Sequence, residues 1–144
     1  MSPEAGKATL RQYFRAHRLE LVAAAEGAIQ AQARRHLPGL LAADQRLGLY
    51  WPLPGEIDLR GLQALLPERL ALPAITGNPA ARLVYRPWHS GEALEPDACG
   101  IPAPPASSGE LAAQEMGLLL VPALSCDAAG VRLGYGGGWY DRLR

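Results

Sequence analysis

Apolar residues recur at Leu10, Phe14, Leu21, Ala25 and Ala28, with arginines interleaved at Arg11, Arg15 and Arg18. Steps of three, four and seven residues return side chains to one face of a helix, so this pattern predicts a long amphipathic helix. Ser2-Pro3-Glu4 supplies its start, with serine as N-cap and proline in the first helical position. Leu37-Pro38-Gly39 supplies its stop, so the helix should run to about His36.

The period then shortens. Leu47-Gly48-Leu49-Tyr50-Trp51-Pro52 is short, apolar and aromatic and predicts a strand, with Pro54-Gly55 as a turn after it. Asp58 can cap a second helix through Leu59, Leu62, Leu65 and Leu66, ending near Pro67. Residues 70–75 and 82–88 read as further strands, the latter alternating Leu83, Tyr85 and Pro87 against Val84, Arg86 and Trp88. Residues 89–109, rich in Gly, Pro and Ser, read as an ordered or semi-ordered loop rather than a linker, because too little chain lies on either side for two cores. Residues 117–122 form a continuous apolar run of the kind buried in parallel sheets. Strands alternating with helices predict an α/β fold with a mostly parallel sheet. Ligands in such sheets sit beyond the carboxyl ends of the strands, which directs attention to the segments after Trp51, Trp88 and Pro122.

Composition narrows the function classes. The 144 residues carry 14 Lys+Arg against 14 Asp+Glu, which removes the broad electrostatic footprint of a nucleic-acid binder. The longest apolar run stops at Pro122, far short of a membrane span, and the N-terminus lacks the basic and apolar regions of a signal peptide. A cytoplasmic monomer that contacts neither nucleic acid nor membrane is expected. Two cysteines, Cys99 and Cys126, form no zinc pattern and read most plainly as free thiols, with a single disulfide as the alternative. The basic residues are 13 Arg and one Lys, so Lys7 stands out.

The chemistry concentrates in Arg132-Leu133-Gly134-Tyr135-Gly136-Gly137-Gly138-Trp139-Tyr140-Asp141-Arg142. Glycines admit positive φ and close backbone approach, so successive N–H groups can converge on an anion. Arg132 and Arg142 add point charges, and Asp141 is placed to hold a divalent cation against phosphates. The plain alternative is a surface hairpin, since turn chemistry is glycine's first use. The string matches neither GxxxxGK[ST] nor GxGxxG, because Trp139 stands where the last glycine should be. Lys7 and Arg11, four apart, share a helix face that either is simply solvated or reaches a triphosphate. Glu56 is either a surface carboxylate or an acceptor for the amino and ring N–H groups of a pterin, with Trp51 and Trp139 able to flank a flat heterocycle. No nucleophile–base pair is evident, so no protein nucleophile is assigned.

Residues 127–142, preceded by Leu120-Val121-Pro122-Ala123, resemble the signature loop of the 5-formyltetrahydrofolate cyclo-ligase (5,10-methenyltetrahydrofolate synthetase) family. Trp139 stands where a tyrosine is common. Lys7-Ala8-Thr9-Leu10-Arg11, the stretch from Tyr50-Trp51-Pro52 to Glu56-Ile57-Asp58, and the stretch from Tyr85-Arg86-Pro87-Trp88 to Pro104 match further family segments in order. The resemblance implies a three-layer α/β/α fold and an ATP- and Mg2+-dependent ligase that converts 5-formyltetrahydrofolate to 5,10-methenyltetrahydrofolate with release of ADP and phosphate. It assigns ATP contacts to Lys7, Arg11, Arg132, Leu133, Gly134, Tyr135, Gly136, Gly137, Gly138, Trp139 and Tyr140. Folate contacts fall to Trp51, Glu56, Tyr135, Gly136, Gly137, Gly138 and Trp139, and magnesium ligation to Asp141. Family members continue with further strands and helices, including another acidic residue associated with magnesium. The chain is therefore expected to be a single domain over residues 1–144 lacking its C-terminal elements. The competing readings are a non-catalytic nucleotide- or folate-binding relative and a sugar-phosphate enzyme on a similar scaffold.

Overall fold

A 34-residue helix, α1 (Pro3–His36), opens the chain. Glu4 lies in its first turn and Arg34, Arg35 and His36 in its last, the charge order that complements the helix dipole. The structure, a computed structural model, describes residues 3–77, 80–135 and 140.

The helix ends where expected, but its docked face differs from the apolar stripe expected of it. Leu10 and Leu21 are 50% and 61% exposed, and Ala28 is exposed too. The sheltered positions are Gly6, Arg11, Phe14, Arg18, Val22, Ala25, Glu26 and Gln30, with Ala33 buried. Polar side chains make much of the attachment. Arg18 Nε donates to the Gly55 carbonyl at 2.9 Å, and Gln30 Nε2 to the Asp58 carbonyl at 2.8 Å. Glu26 Oε2 accepts from the Asp58 N–H at 3.1 Å. Backbone groups of a loop are satisfied by helix side chains, so the periodicity of apolar residues alone misplaces the contact face.

The sheet holds β1 (Arg46–Gly48), β2 (Leu70–Thr76), β3 (Arg82–Trp88) and, after two short strands, β6 (Met116–Leu119), in the order β3-β2-β1-β6. The short strands are β4 (Glu95–Pro96) and β5 (Pro102–Ala103). Strand β1 runs parallel to β2, pairing Leu47 with Leu70, and parallel to β6, pairing Leu47 with Leu118. Strands β2 and β3 are antiparallel from Leu70↔Trp88 to Thr76↔Arg82. The expectation of a mostly parallel sheet accompanied by a helix holds, with β3 as the antiparallel member. Gly48 sits in close packing: a Cβ there would lie 2.5 Å from Leu119 Cδ2 and 3.0 Å from Tyr85 Cε1, so these side chains would have to shift to admit one.

Leu47, Leu49, Leu70 and Leu72 are 0% exposed and form the core with Leu62, Leu66 and Trp88. Two expected elements are smaller or more open than the sequence suggests. The segment after Asp58 forms one 3-10 turn, Arg60–Ala64, instead of an α-helix, and Leu65 is 51% exposed. Leu59, not Asp58, takes the N-cap position; Asp58 closes a turn just before it, Oδ1 accepting from the Arg60 N–H at 3.0 Å, and Pro67 arrives before a longer helix can propagate. Strand β6 is partly exposed because it lies at an edge of the described sheet, not between two neighbours.

The loop over residues 89–109 is ordered by β4 and β5 and by Asp97. One Asp97 carboxylate oxygen accepts from the Ile75 N–H at 2.9 Å, the other from the Cys99 and Ile101 N–H groups at 2.8 and 3.0 Å. A hairpin of β7 (Ser125–Cys126) and β8 (Arg132–Leu133) follows β6 and leads into the glycine-rich stretch. Cys99 and Cys126 are free and exposed, as their spacing suggested.

Candidate functional site

The strand order creates the site. From β1 the chain moves to β2 on one side, and β6 later takes the other side. A crevice opens at such a reversal, beyond the carboxyl ends of the strands. Strand β1 delivers residues 49–58 to it, and β6 delivers residues 120–135.

Glu56 and Tyr135 meet there. Tyr135 Oη donates to Glu56 Oε2 at 2.7 Å, across 79 positions of sequence. Glu56 Oε1 accepts from the Leu53 N–H at 2.7 Å, and the turn closes with the Glu56 N–H on the Leu53 carbonyl at 2.9 Å. The carboxylate is therefore held by one bond to each oxygen, with half of its roughly four acceptor positions left for a ligand. Burial, then the hydrogen bond to Glu56, pushes the Tyr135 phenol up to about 12, so it is a donor at neutral pH. Tyr50 Oη donates to the Ile57 carbonyl at 2.6 Å and fixes the far end of the same turn.

Helix α1 supplies three arginines to these segments. Arg11 Nε donates to the Gly134 carbonyl at 3.0 Å, and Arg15 to the Tyr135 carbonyl at 3.1 Å. The Arg18 guanidinium lies 5.2 Å from the Tyr135 ring centroid while its Nε holds Gly55. Positions 11, 15 and 18 share a helix face, so one element grips both the start of the glycine-rich stretch and the turn that bears Glu56.

Two cavities share this wall. One, of about 520 Å³, is bounded by Phe14, Arg18 and Val22 of α1 and by Leu124, Cys126 and Arg132 around the hairpin. The other, of about 190 Å³, is predominantly apolar and is bounded by Trp51, Ile75, Leu83, Ile101 and Tyr140. Tyr50, Glu56, Pro122 and Tyr135 line both. Trp51 is pinned at the smaller cavity: Arg60 lies 4.5 Å from its ring centroid, and Trp88 meets it edge-on at 6.4 Å. Asp58 holds Arg60 in place with bonds of 2.9 and 2.8 Å, and this hydrogen-bonded guanidinium lowers the Asp58 carboxyl below its ordinary range.

Of the residues singled out in the sequence, Trp51, Glu56, Tyr135 and Tyr140 converge on the smaller cavity, and Arg132 lines the larger. Leu133 pairs with Ser125 in β8, and Gly134 is bonded through its carbonyl to Arg11. Arg132 also lies 5.9 Å from the Tyr140 ring centroid. Lys7 is one helical turn before Arg11, pairs with Glu4 at 3.4 Å on the exposed surface, and lines neither cavity. Gly136, Gly137, Gly138, Trp139 and Asp141 lie outside the described residues. Among the described residues no group of three His, Cys, Asp or Glu side chains is arranged to hold a metal ion.

A family model described as "5-formyltetrahydrofolate cyclo-ligase family" matches residues 3–144. The chain belongs to the 5-formyltetrahydrofolate cyclo-ligase family. It is accordingly an enzyme of that ligase class, acting on folate. The solution structure of Aquifex aeolicus 5,10-methenyltetrahydrofolate synthetase is similar to this cyclo-ligase, with 28% identity and a TM-score of 0.76 over 95% of this chain and 71% of that one. A 5,10-methenyltetrahydrofolate synthetase from Mycoplasma pneumoniae shares the fold at 16% identity, with a TM-score of 0.64 over 94% of this chain and 75% of that one. No curated protein sequence matches the chain.

Sequence reasoning left Arg15, Arg18, Tyr50 and Arg60 out of the cyclo-ligase site. A signal existed for the first two, since Arg15 and Arg18 stand four and seven residues after Arg11. Arg60 follows Asp58 by two residues, and nothing in that spacing announces that it will cover Trp51.

Proposed function

We propose that this cyclo-ligase converts 5-formyltetrahydrofolate and ATP to 5,10-methenyltetrahydrofolate, ADP and phosphate. The observation that carries the reading is the Glu56–Tyr135 pair, set in the wall of an apolar cavity at the strand-order reversal. A pterin ring presents amino and ring N–H donors on a flat apolar body. The smaller cavity offers it the matching surfaces, with a carboxylate at the wall and Trp51 beside it. The larger cavity, with Arg132 at its border, suits anionic parts of the ligands.

The formyl group of the substrate is a formamide, whose carbon is deactivated by the nitrogen lone pair and whose oxygen is a poor leaving group. In the reaction we propose, that oxygen attacks the γ-phosphorus of ATP and ADP departs. The resulting imidate phosphate carries an electrophilic carbon. N10 attacks this carbon within the same molecule and gives up its proton, and the C–O bond breaks to release phosphate. The amidinium product is 5,10-methenyltetrahydrofolate. No side-chain nucleophile is needed. The protein's contribution is orientation and charge neutralisation, as phosphoryl transfer requires.

ATP contacts are assigned to Lys7, Arg11, Arg132 and the stretch from Leu133 to Tyr140. Folate contacts are assigned to Trp51, Glu56 and the stretch from Tyr135 to Trp139. Magnesium fits the donor chemistry of Asp141, because Mg2+ takes one or two carboxylates together with substrate phosphate oxygens. When bound it neutralises phosphate charge. Asp141→Asn should lower turnover about 10- to 100-fold, the cost of one charge-assisted contact, and chelation of divalent cations should abolish it. No described helix is long and apolar enough to cross a membrane.

Oxygen transfer tests the chemistry. Substrate labelled with heavy oxygen in its formyl group should yield phosphate carrying that oxygen, one atom per turnover. Unlabelled phosphate would mean that the formyl oxygen is never phosphorylated.

A further inference from the structure

Arg18 is absorbed by none of the roles assigned above, yet it touches both halves of the site. Its Nε donates to the Gly55 carbonyl at 2.9 Å, and its guanidinium lies 5.2 Å from the Tyr135 ring centroid. Gly55 precedes Glu56, and Tyr135 bonds Glu56 directly. A side chain from α1 thus stands between the backbone that carries the carboxylate and the phenol that orients it.

The packing is close. Gly55 has φ +84°, and a Cβ there would fall 2.7 Å from Arg18 Nε and 3.2 Å from its Cδ. The turn therefore needs glycine twice, once for its backbone conformation and once to admit the arginine. A planar guanidinium can donate in its own plane while offering its face to an aromatic ring; an ammonium cannot do both. The geometry points to Arg18 as a positioning residue. By locking Gly55 to Tyr135 it presets the Glu56 carboxylate in the orientation that receives the donor edge of the folate's bicyclic ring.

This role rests on the proposed function of Glu56, and it makes a specific claim about which substrate is affected. Of the residues assigned to the nucleotide only Tyr135 meets Arg18, whereas both Arg18 contacts converge on Glu56, so loss of Arg18 should weaken folate far more than nucleotide. Arg18→Gln should raise the Kd and KM for 5-formyltetrahydrofolate about 10-fold, the equivalent of one lost bond to a charged group, while those for Mg-ATP stay within about two-fold. Arg18→Lys keeps the charge and much of the stem, which guards against simple misfolding, and should show the same folate defect. In a Tyr135→Phe background the Gln substitution should add less than about two-fold, because both changes break one linkage.

Calorimetry of the two ligands with the native protein and these variants decides between the outcomes. Native protein that binds no 5-formyltetrahydrofolate overturns the proposed function and this role with it. Native protein that binds and turns over, with an Arg18→Gln variant of unchanged folate affinity, overturns the positioning role alone. Equal loss of folate and nucleotide affinity, or additive penalties with Tyr135→Phe, would also overturn it, since both are marks of a merely structural residue.

Discussion

Glu56 is a short-range problem with a long-range solution. Its Oε1 is fixed locally by the Leu53 N–H, but Oε2 depends on a tyrosine 79 positions away. Replacing Glu56 by Gln keeps the shape and a hydrogen-bonding oxygen but removes the charge. The folate KM should rise about 10- to 100-fold, with the ATP KM little changed, as steady-state titration of each substrate would show. Tyr135→Phe removes the orienting donor and should raise folate KM to a smaller extent. It also has a signature in pH. The folded phenol titrates near 12 against an ordinary value of about 10, because burial and Glu56 disfavour its anion. A raised acid pKa stabilises the fold fully below pH about 10 and loses that contribution as pH climbs toward 12. Tyr50, Tyr85 and Tyr140 are raised by burial as well, so the native protein should unfold more readily in strong base. The difference in urea midpoint between native protein and Tyr135→Phe, followed from pH 8 to 12, isolates the Tyr135 share; a gap that stays constant with pH would refute it.

At the scale of elements, α1 shows where periodicity succeeds and where it misleads. The start, length and stop of the helix are legible because Pro3, Leu37 and Pro38-Gly39 act locally. The docked face is not, because Arg18, Glu26 and Gln30 hold it by bonding backbone groups of the 55–58 turn. Such bonds leave no apolar rhythm in a sequence. Leu10, which the rhythm would place inward, is 50% exposed, so Leu10→Ala should change stability by less than about 0.5 kcal/mol. Leu62 is 2% exposed in the 3-10 turn that replaced the expected second helix, so Leu62→Ala should cost about 2–5 kcal/mol. Chemical denaturation of the two variants checks both values, and a large loss in Leu10→Ala would return the helix to the sequence-based orientation. The strands were easier to read, since alternation and continuous apolar runs report burial directly. Strand β6 is the exception: its sequence reads as interior, but its neighbours in the described sheet cover only one edge.

For the whole molecule, the strand order β3-β2-β1-β6 matters more than any motif. It places the segment after β1 and the segment after β6 side by side, and so brings together the aromatic run near residue 50 and the start of the glycine-rich stretch. Sequence strings mark each of these separately. Their meeting is a property of the sheet, which is why Glu56 could be suspected and its partner Tyr135 could not be named as such. The fold also explains how a chain with zero net charge can serve anionic ligands. Arg11, Arg15 and Arg18 are collected on one side of one helix, facing the site, while acidic groups such as Glu4 and Glu110 lie in exposed pairs.

The most direct measurement is a single reaction: the protein with Mg-ATP and 5-formyltetrahydrofolate, followed by the near-ultraviolet absorbance of the methenyl product alongside ADP. Product and ADP should rise together, one for one, and both should slow when Glu56 is replaced by Gln and folate is kept below saturation. Tight binding of both ligands with neither product nor ADP would contradict it, as would ADP formed at the same rate with the folate left out.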